Sequence, residues 1–205
     1  MDTNWAADHL QAIRTLMQRS ALYRRTLAPV MIVSGALGTA GALGAHIAQA
    51  GTVCSFSLFW LGIGSVTLAA SFLLVRRQAL KDHEPFWSPP TRRVTTSLLP
   101  AFLIGLAAGA GDLFHERTPP WIVAAVWLTT YGCALHAAGF FMQRGIRLFS
   151  WIFVFAGCAL LLGGPSWPRL QASQTANYLM GFFFGLLHLS YGVYLYFTEK
   201  HRDRP

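Results

Sequence analysis

Two histidines carry most of the chemistry that this chain offers to an apolar interior. His136 and His188 each stand in a long uncharged run, eight residues before Arg144 and eleven before Glu199. At ~1.5 Å per helical residue, the two imidazoles fall within about 4–5 Å of the same depth. Their runs have the same direction. A facing pair at one level could ligate a metal ion, or a haem iron from both sides. The simpler arrangement has each neutral ring hydrogen-bonded to a nearby hydroxyl or carbonyl. With no further ligand signature, that arrangement is the expectation.

The hydroxyls within reach are Tyr131 and Tyr191, with Thr129, Ser190, Tyr194 and Tyr196. Together they could line a ligand pocket between the two runs. Tyr194 and Tyr196 fall near the end of their run, where tyrosine marks a membrane surface anyway. His46, His115 and Glu116 make a weaker candidate cluster. Asp82-His83-Glu84 is read as a solvated turn, because adjacent residues on one helical turn point in three directions.

Other chemistries find no support. No nucleophile stands beside a base, and there is no phosphate-cradling loop or zinc signature. Gly62-Ile63-Gly64 lies inside an apolar run and reads as packing glycine. Cys54, Cys133 and Cys158 are too few and too widely spaced for a disulfide or metal framework. No apolar run holds an Asp, Glu, Lys or Arg, which argues against ion-coupled transport. A small-molecule channel or facilitator remains a reading, with the glycines of the first, third and fifth runs allowing a pore.

These residues need elements to hold them, and the composition says which. Of 205 residues, 54% are hydrophobic and 12% charged, against ~25% charged in soluble domains. The run from Ala176 to Thr198 holds no formal charge and stops at Glu199-Lys200. Roughly 20 helical residues cross the hydrocarbon core, where the backbone must satisfy its own hydrogen bonds. Six such spans are expected, at about 29–48, 54–75, 94–111, 121–142, 148–163 and 176–198. The expected fold is an all-α polytopic membrane protein whose transmembrane domain covers 27–198, with a tail at 199–205. Odd spans are rich in Gly and Ala. Even spans open on aromatics such as Phe56, Phe59 and Trp60, read as headgroup-level rings, and close on basic residues. Three tandem hairpins would produce that alternation.

Residues 1–26 precede the spans and are patterned. Leu10, Ile13, Met17 and Ala21 recur at helical spacing, so an amphipathic helix is expected. Its Arg14, Arg19, Arg24 and Arg25 suit contact with anionic headgroups or with a partner protein. The net charge of +8 is spread along the span flanks, which argues for membrane topology and against nucleic acid. The segment Ile13-Arg14-Thr15-Leu16-Met17-Gln18-Arg19-Ser20, followed by the Gly-rich first span, resembles a group of uncharacterised bacterial multi-spanning proteins. In that group an Ile-Arg-x-x-Met-x-x-Ser/Ala segment precedes short hydrophobic helices. The resemblance covers about the first 45 residues. It implies a bacterial inner-membrane protein and transfers no catalytic or binding residue.

The leading functional expectation is therefore a non-enzymatic sensing, regulatory or partner-binding membrane component, with no cofactor. A haem- or metal-binding redox protein built on His136 and His188 is the alternative. Fourteen of the sixteen Lys and Arg residues lie on one side of the six-span arrangement, and cationic flanks stay in the cytoplasm. Reporter tags fused to either chain end should both read out from the cytoplasm. A periplasmic signal from one end would remove the six-span topology.

Overall fold

The computed structural model describes residues 26–48, 52–83, 85–115, 118–171 and 174–202. Within them all regular structure is helical, and six helices are long and apolar enough to cross a membrane. Helix α1 is Thr26–Ile47. Then come α2 (Val53–Lys81), α3 (Pro89–His115), α4 (Pro120–Ala138) and α5 (Arg144–Gly163). The sixth helix, α6, is continuous but changes winding: Thr175–Met180 is α, Gly181–Leu187 is π and His188–Arg202 is α again. The amphipathic segment expected at 1–26, with Arg14, Arg19, Arg24 and Arg25, lies outside the described residues apart from Thr26.

Local chemistry sets the helix ends. Thr52 caps α2 through a reciprocal box with Ser55: the Ser55 N–H donates to Thr52 Oγ1 at 3.2 Å and the Thr52 N–H to Ser55 Oγ at 3.1 Å. At the other end Asp82 is the cap, and His83 takes a left-handed φ of 53°. That conformation stops the helix and satisfies late carbonyls. Gln78 Nε2 donates to Asp82 at 3.0 Å and His83 is exposed, so both belong to the helix terminus. Helix α2 is longer than expected and ends at Lys81, because the helix continues through the basic flank. Helix α4 is shorter. It stops at Ala138, where Gly139 lies against Arg147 of α5 and the chain turns.

Helix α4 is the most buried of the six and α2 the most exposed. The seams are made by glycine. A methyl group at Gly35 would collide with the Leu189 backbone, at Gly38 with the Phe184 carbonyl, and at Gly185 with Thr39. Partner numbers on α6 fall as those on α1 rise, so the two helices are antiparallel. On α3, Gly105 and Gly109 lie under the indole of Trp127, whose Nε1–H donates to the Gly105 carbonyl at 2.8 Å. On α5, Gly157 meets Thr129 and the Ala125 carbonyl of α4. These glycines of α1, α3 and α5 are covered by even helices, whereas Gly111 of α3 faces open space.

Phe56 and Trp60 are core residues at 0% and 4% exposure. This differs from the headgroup-level reading of those rings. Phe56 stacks on Trp127 at 5.7 Å, and Trp60 reaches across to α6. An aromatic at a span end goes inward when a neighbouring helix offers it a partner.

The seams generate a paired expectation. Gly185→Ala should destabilise the bundle by about 1–3 kcal/mol, the usual cost of forcing extra volume into a filled contact. Gly62→Ala faces open space and should be neutral, or stabilising by up to ~1 kcal/mol through helix propensity. Thermal unfolding of both variants in one detergent checks this, and equal behaviour would count against close backbone packing.

Candidate functional site

His188 is the largest of the deeply buried polar side chains, 2% exposed, in the first turn after the π segment of α6. Its two ring nitrogens have different partners. Nδ1 lies 2.9 Å from the carbonyl oxygen of Phe183, and Nε2 lies 2.6 Å from the hydroxyl of Tyr131 on α4. A carbonyl can only accept. In the neutral ring Nδ1 therefore carries the proton and donates to Phe183, and the Nε2 lone pair accepts the Tyr131 O–H. The winding of α6 provides the first bond. A π turn displaces carbonyls from the α ladder, and here the imidazole five residues on takes the Phe183 carbonyl.

Aromatic rings pack around this pair. His188 meets Phe149 at 5.2 Å edge-on, Phe153 at 5.3 Å, and Phe184 at 5.8 Å nearly parallel. Tyr131 packs against Phe153 at 5.1 Å and Phe184 at 4.9 Å. Helices α4, α5 and α6 supply these rings, and Phe102 of α3 approaches Tyr131 at 6.2 Å, so the site is a point where four helices meet. Tyr191 sits one helical turn beyond His188 and stacks on Phe149 at 4.5 Å. The structure thus joins Tyr131 to His188 directly and Tyr191 to them through Phe149.

His136 belongs to a different contact. Ser150 donates its hydroxyl proton to the Arg147 carbonyl at 2.7 Å, which leaves its oxygen to accept from His136 Nδ1 at 3.3 Å. Trp151 and Phe140 flank that ring at 5.0 and 5.4 Å. His136 lies against Ser150 of α5 and His188 against Phe149 and Phe153. Successive residues of a helix point ~100° apart, so the two imidazoles lie on different faces of α5. For His188 to bind haem or a metal, its Nε2 would first have to give up Tyr131. Among the described residues no group of three His, Cys, Asp or Glu could hold a metal ion.

The remaining candidates scatter. Thr129 donates back to the Ala125 carbonyl at 2.9 Å and faces α5. Ser190, Tyr194 and Tyr196 are exposed. The hydroxyl of Tyr178 lies 3.2 Å from Nδ1 of His46 at the far end of the α1–α6 seam. The His115 side chain and Glu116 lie outside the described residues.

Two buried polar residues bonded to a neighbouring helix, Ser150 and Asn177, escaped the sequence reading. Asn177 is fully buried, accepts from Trp60 Nε1 at 2.8 Å, and donates to Gln174 at 3.0 Å. A lone asparagine opening an uncharged run was the available signal. A second lies in the paired Gly-Phe-Phe-Phe-Gly spacing at Gly181 and Gly185, which marks the π segment only in hindsight.

Fold and site together define a class: a multi-span helical membrane protein whose core is tied by buried polar pairs between helices. Beyond that class, no protein-family model matches the chain, and neither a curated protein nor a solved structure is similar to it.

The geometry makes a measurable demand. Tyr131→Phe removes the donor to a buried imidazole and should lower stability by about 1–2 kcal/mol, since an unsatisfied buried acceptor costs more than the bond's net worth. Tyr131→Phe combined with His188→Leu should recover part of the loss. A double-mutant cycle of unfolding in detergent measures the coupling, and strictly additive losses would argue that the two groups do not interact.

Proposed function

We propose that the chain is a non-enzymatic component of a bacterial inner membrane, with both termini in the cytoplasm and six spans laid out as three hairpins. It acts in sensing or regulation by binding a partner through the basic amphipathic segment at 1–26. The observation that carries this reading is how the interior polar groups are used. Tyr131 is engaged with His188, Trp60 with Asn177, and Trp127 with the Gly105 carbonyl. Each pair ties one helix to another. A hydrolase or transferase would aim its base or nucleophile at a substrate, whereas these groups are aimed at each other.

The same pairs suit a signalling part. They hold α6 against α4 and α2 at defined positions, and the π segment between them is a place where the helix can change register. A signal received at the segment that precedes α1 in the sequence would reach α6 through the glycine seam formed by Gly35, Gly38 and Gly185. No ligand, cofactor or metal is required by this reading. The fourteen-to-two distribution of Lys and Arg supports the topology.

Removing residues 1–24 tests the proposal. The truncated chain should insert and melt as the full chain does, yet lose its crosslinked partner and any regulatory phenotype of the gene. If the partner and phenotype survive the truncation, the amphipathic segment is only a lead-in to the first span and the reading fails.

A further inference from the structure

The α2–α3 rim holds a second arrangement that the partner reading does not use. Helix α2 has 29 residues, ~43 Å at 1.5 Å per residue, and so exceeds the ~30 Å hydrocarbon core. Measured from Cys54, that core is used up after roughly 20 residues, at about Leu73. Everything beyond it on α2 stands in the headgroup zone. Arg76 and Arg77 lie in the next turn, both exposed, and Lys81 follows one turn later. Arg92 and Arg93 open α3 from the same end and are also exposed.

The connection between these helices does not extend away into water. It folds back, so that Phe86 packs edge-on against Phe72 with centroids 4.9 Å apart. Trp87 lies beside Phe86, 6.3 Å away and 57% exposed. A buried pair, Ser88 and Thr91 at 3.0 Å, fixes the start of α3 immediately afterwards. The outcome is an aromatic shelf at the core boundary, with Phe72 and Trp87 exposed and Phe86 half-buried, and a double arginine one turn above Phe72. Phe72 and Arg76 are four residues apart and share one face of α2.

We propose that this rim seats the headgroup phosphate of an anionic membrane phospholipid. Arg76, on the Phe72 face, and Arg77, about 100° round the helix, reach the phosphate oxygens from two directions through their long side chains, and the planar guanidinium is the matching donor. Phe72, Phe86 and Trp87 pack against the glycerol and upper acyl region. The placement of the two chemistries selects a lipid over free phosphate. A soluble anion uses only the cations, whereas a lipid needs an apolar wall on the bilayer side and cations on the water side, in that order. The neighbouring Lys81, Arg92 and Arg93 outnumber Asp82 and Glu84 of the same connection and leave the positive field that favours an anionic over a zwitterionic headgroup. The proposal depends on the membrane-spanning fold and is independent of any partner at the amphipathic segment.

Native mass spectrometry of the full chain, released from nanodiscs with equal phosphatidylglycerol and phosphatidylcholine, tests it. The wild type should retain phosphatidylglycerol in preference. Arg76→Gln with Arg77→Gln should reduce retained phosphatidylglycerol about fivefold or more while leaving phosphatidylcholine unchanged. Trp87→Ala should weaken retention of both lipids. Arg76→Lys with Arg77→Lys keeps the charge and the topology signal, and should give intermediate retention even where the glutamine variant fails to fold. Arg169→Gln, exposed and on the α5–α6 connection, should change nothing. Equal retention of the two lipids by the wild type overturns the proposal. So does full retention by the folded glutamine variant, or stripping of the lipid by millimolar inorganic phosphate.

Discussion

Lipid gives two apolar helices no hydrophobic reason to associate, so this bundle depends on how closely their backbones can approach. The seams show what that requires. Where α1 meets α6, each helix sets glycines against the other: Gly35 and Gly38 of α1 receive Leu189 and Phe184, and Gly181, Gly185 and Gly192 of α6 receive Ala42, Thr39 and Ile32. Where α3 meets α4 the approach is asymmetric, with a flat indole laid across Gly105 and Gly109. Dispersion contacts are individually small, and a gap of 0.5–1 Å already forfeits a quarter to a half of each. The absence of a Cβ at these positions is therefore what the stability of the bundle turns on.

Close backbones explain the placement of the polar pairs. A hydroxyl or imidazole in hydrocarbon is costly without a partner, and when helices nearly touch, one on the next helix is within reach, although Ser57 Oγ and Trp121 Nε1 are buried with none among the described residues. Tyr131 meets His188 across α4 and α6, and Trp60 meets Asn177 across α2 and α6. Helix α6 receives both. The glycine seam fixes its distance from α1, and the two hydrogen bonds fix its depth against α4 and α2. Packing sets the distance between helices, and the polar groups set their register, since a slide of one residue along the axis, ~1.5 Å, would break either bond.

How much of this could be read beforehand depends on the range of the interaction. The spans follow from runs of residues that are local in sequence, and the positions of all six were legible to within about a turn or two. The exceptions have local causes that composition does not encode. Helix α2 runs on through Arg76 and Arg77 because charged residues are good helix formers once outside the core, and α4 stops early because Gly139 must pass Arg147. The site was legible only as a list of residue types. His188, Tyr131 and Tyr191 were named, but which ring faces which hydroxyl depends on helix rotation, and rotation is set by partners far along the chain. Phe56 and Trp60 illustrate the same limit. Their types suit an interface, and Trp127 and Asn177, distant in sequence, draw them into the core.

The π segment follows from these constraints taken together. Asn177 must lie opposite Trp60, His188 must lie opposite Tyr131, and between them Gly181 and Gly185 must both face α1. A regular α-helix turns ~100° per residue, so three contacts with three different neighbours fix its phase three times over. One stretch wound more slowly allows the lower half of α6 to take a phase that the upper half does not dictate. The cost is a disturbed carbonyl ladder, and His188 offsets part of it by donating to Phe183. The imidazole therefore has two structural tasks at once, one within its own helix and one toward α4. A residue so placed couples the winding of α6 to its docking: unwinding the π turn would withdraw the ring from Tyr131, and losing Tyr131 would remove one of the restraints that keep the turn wide.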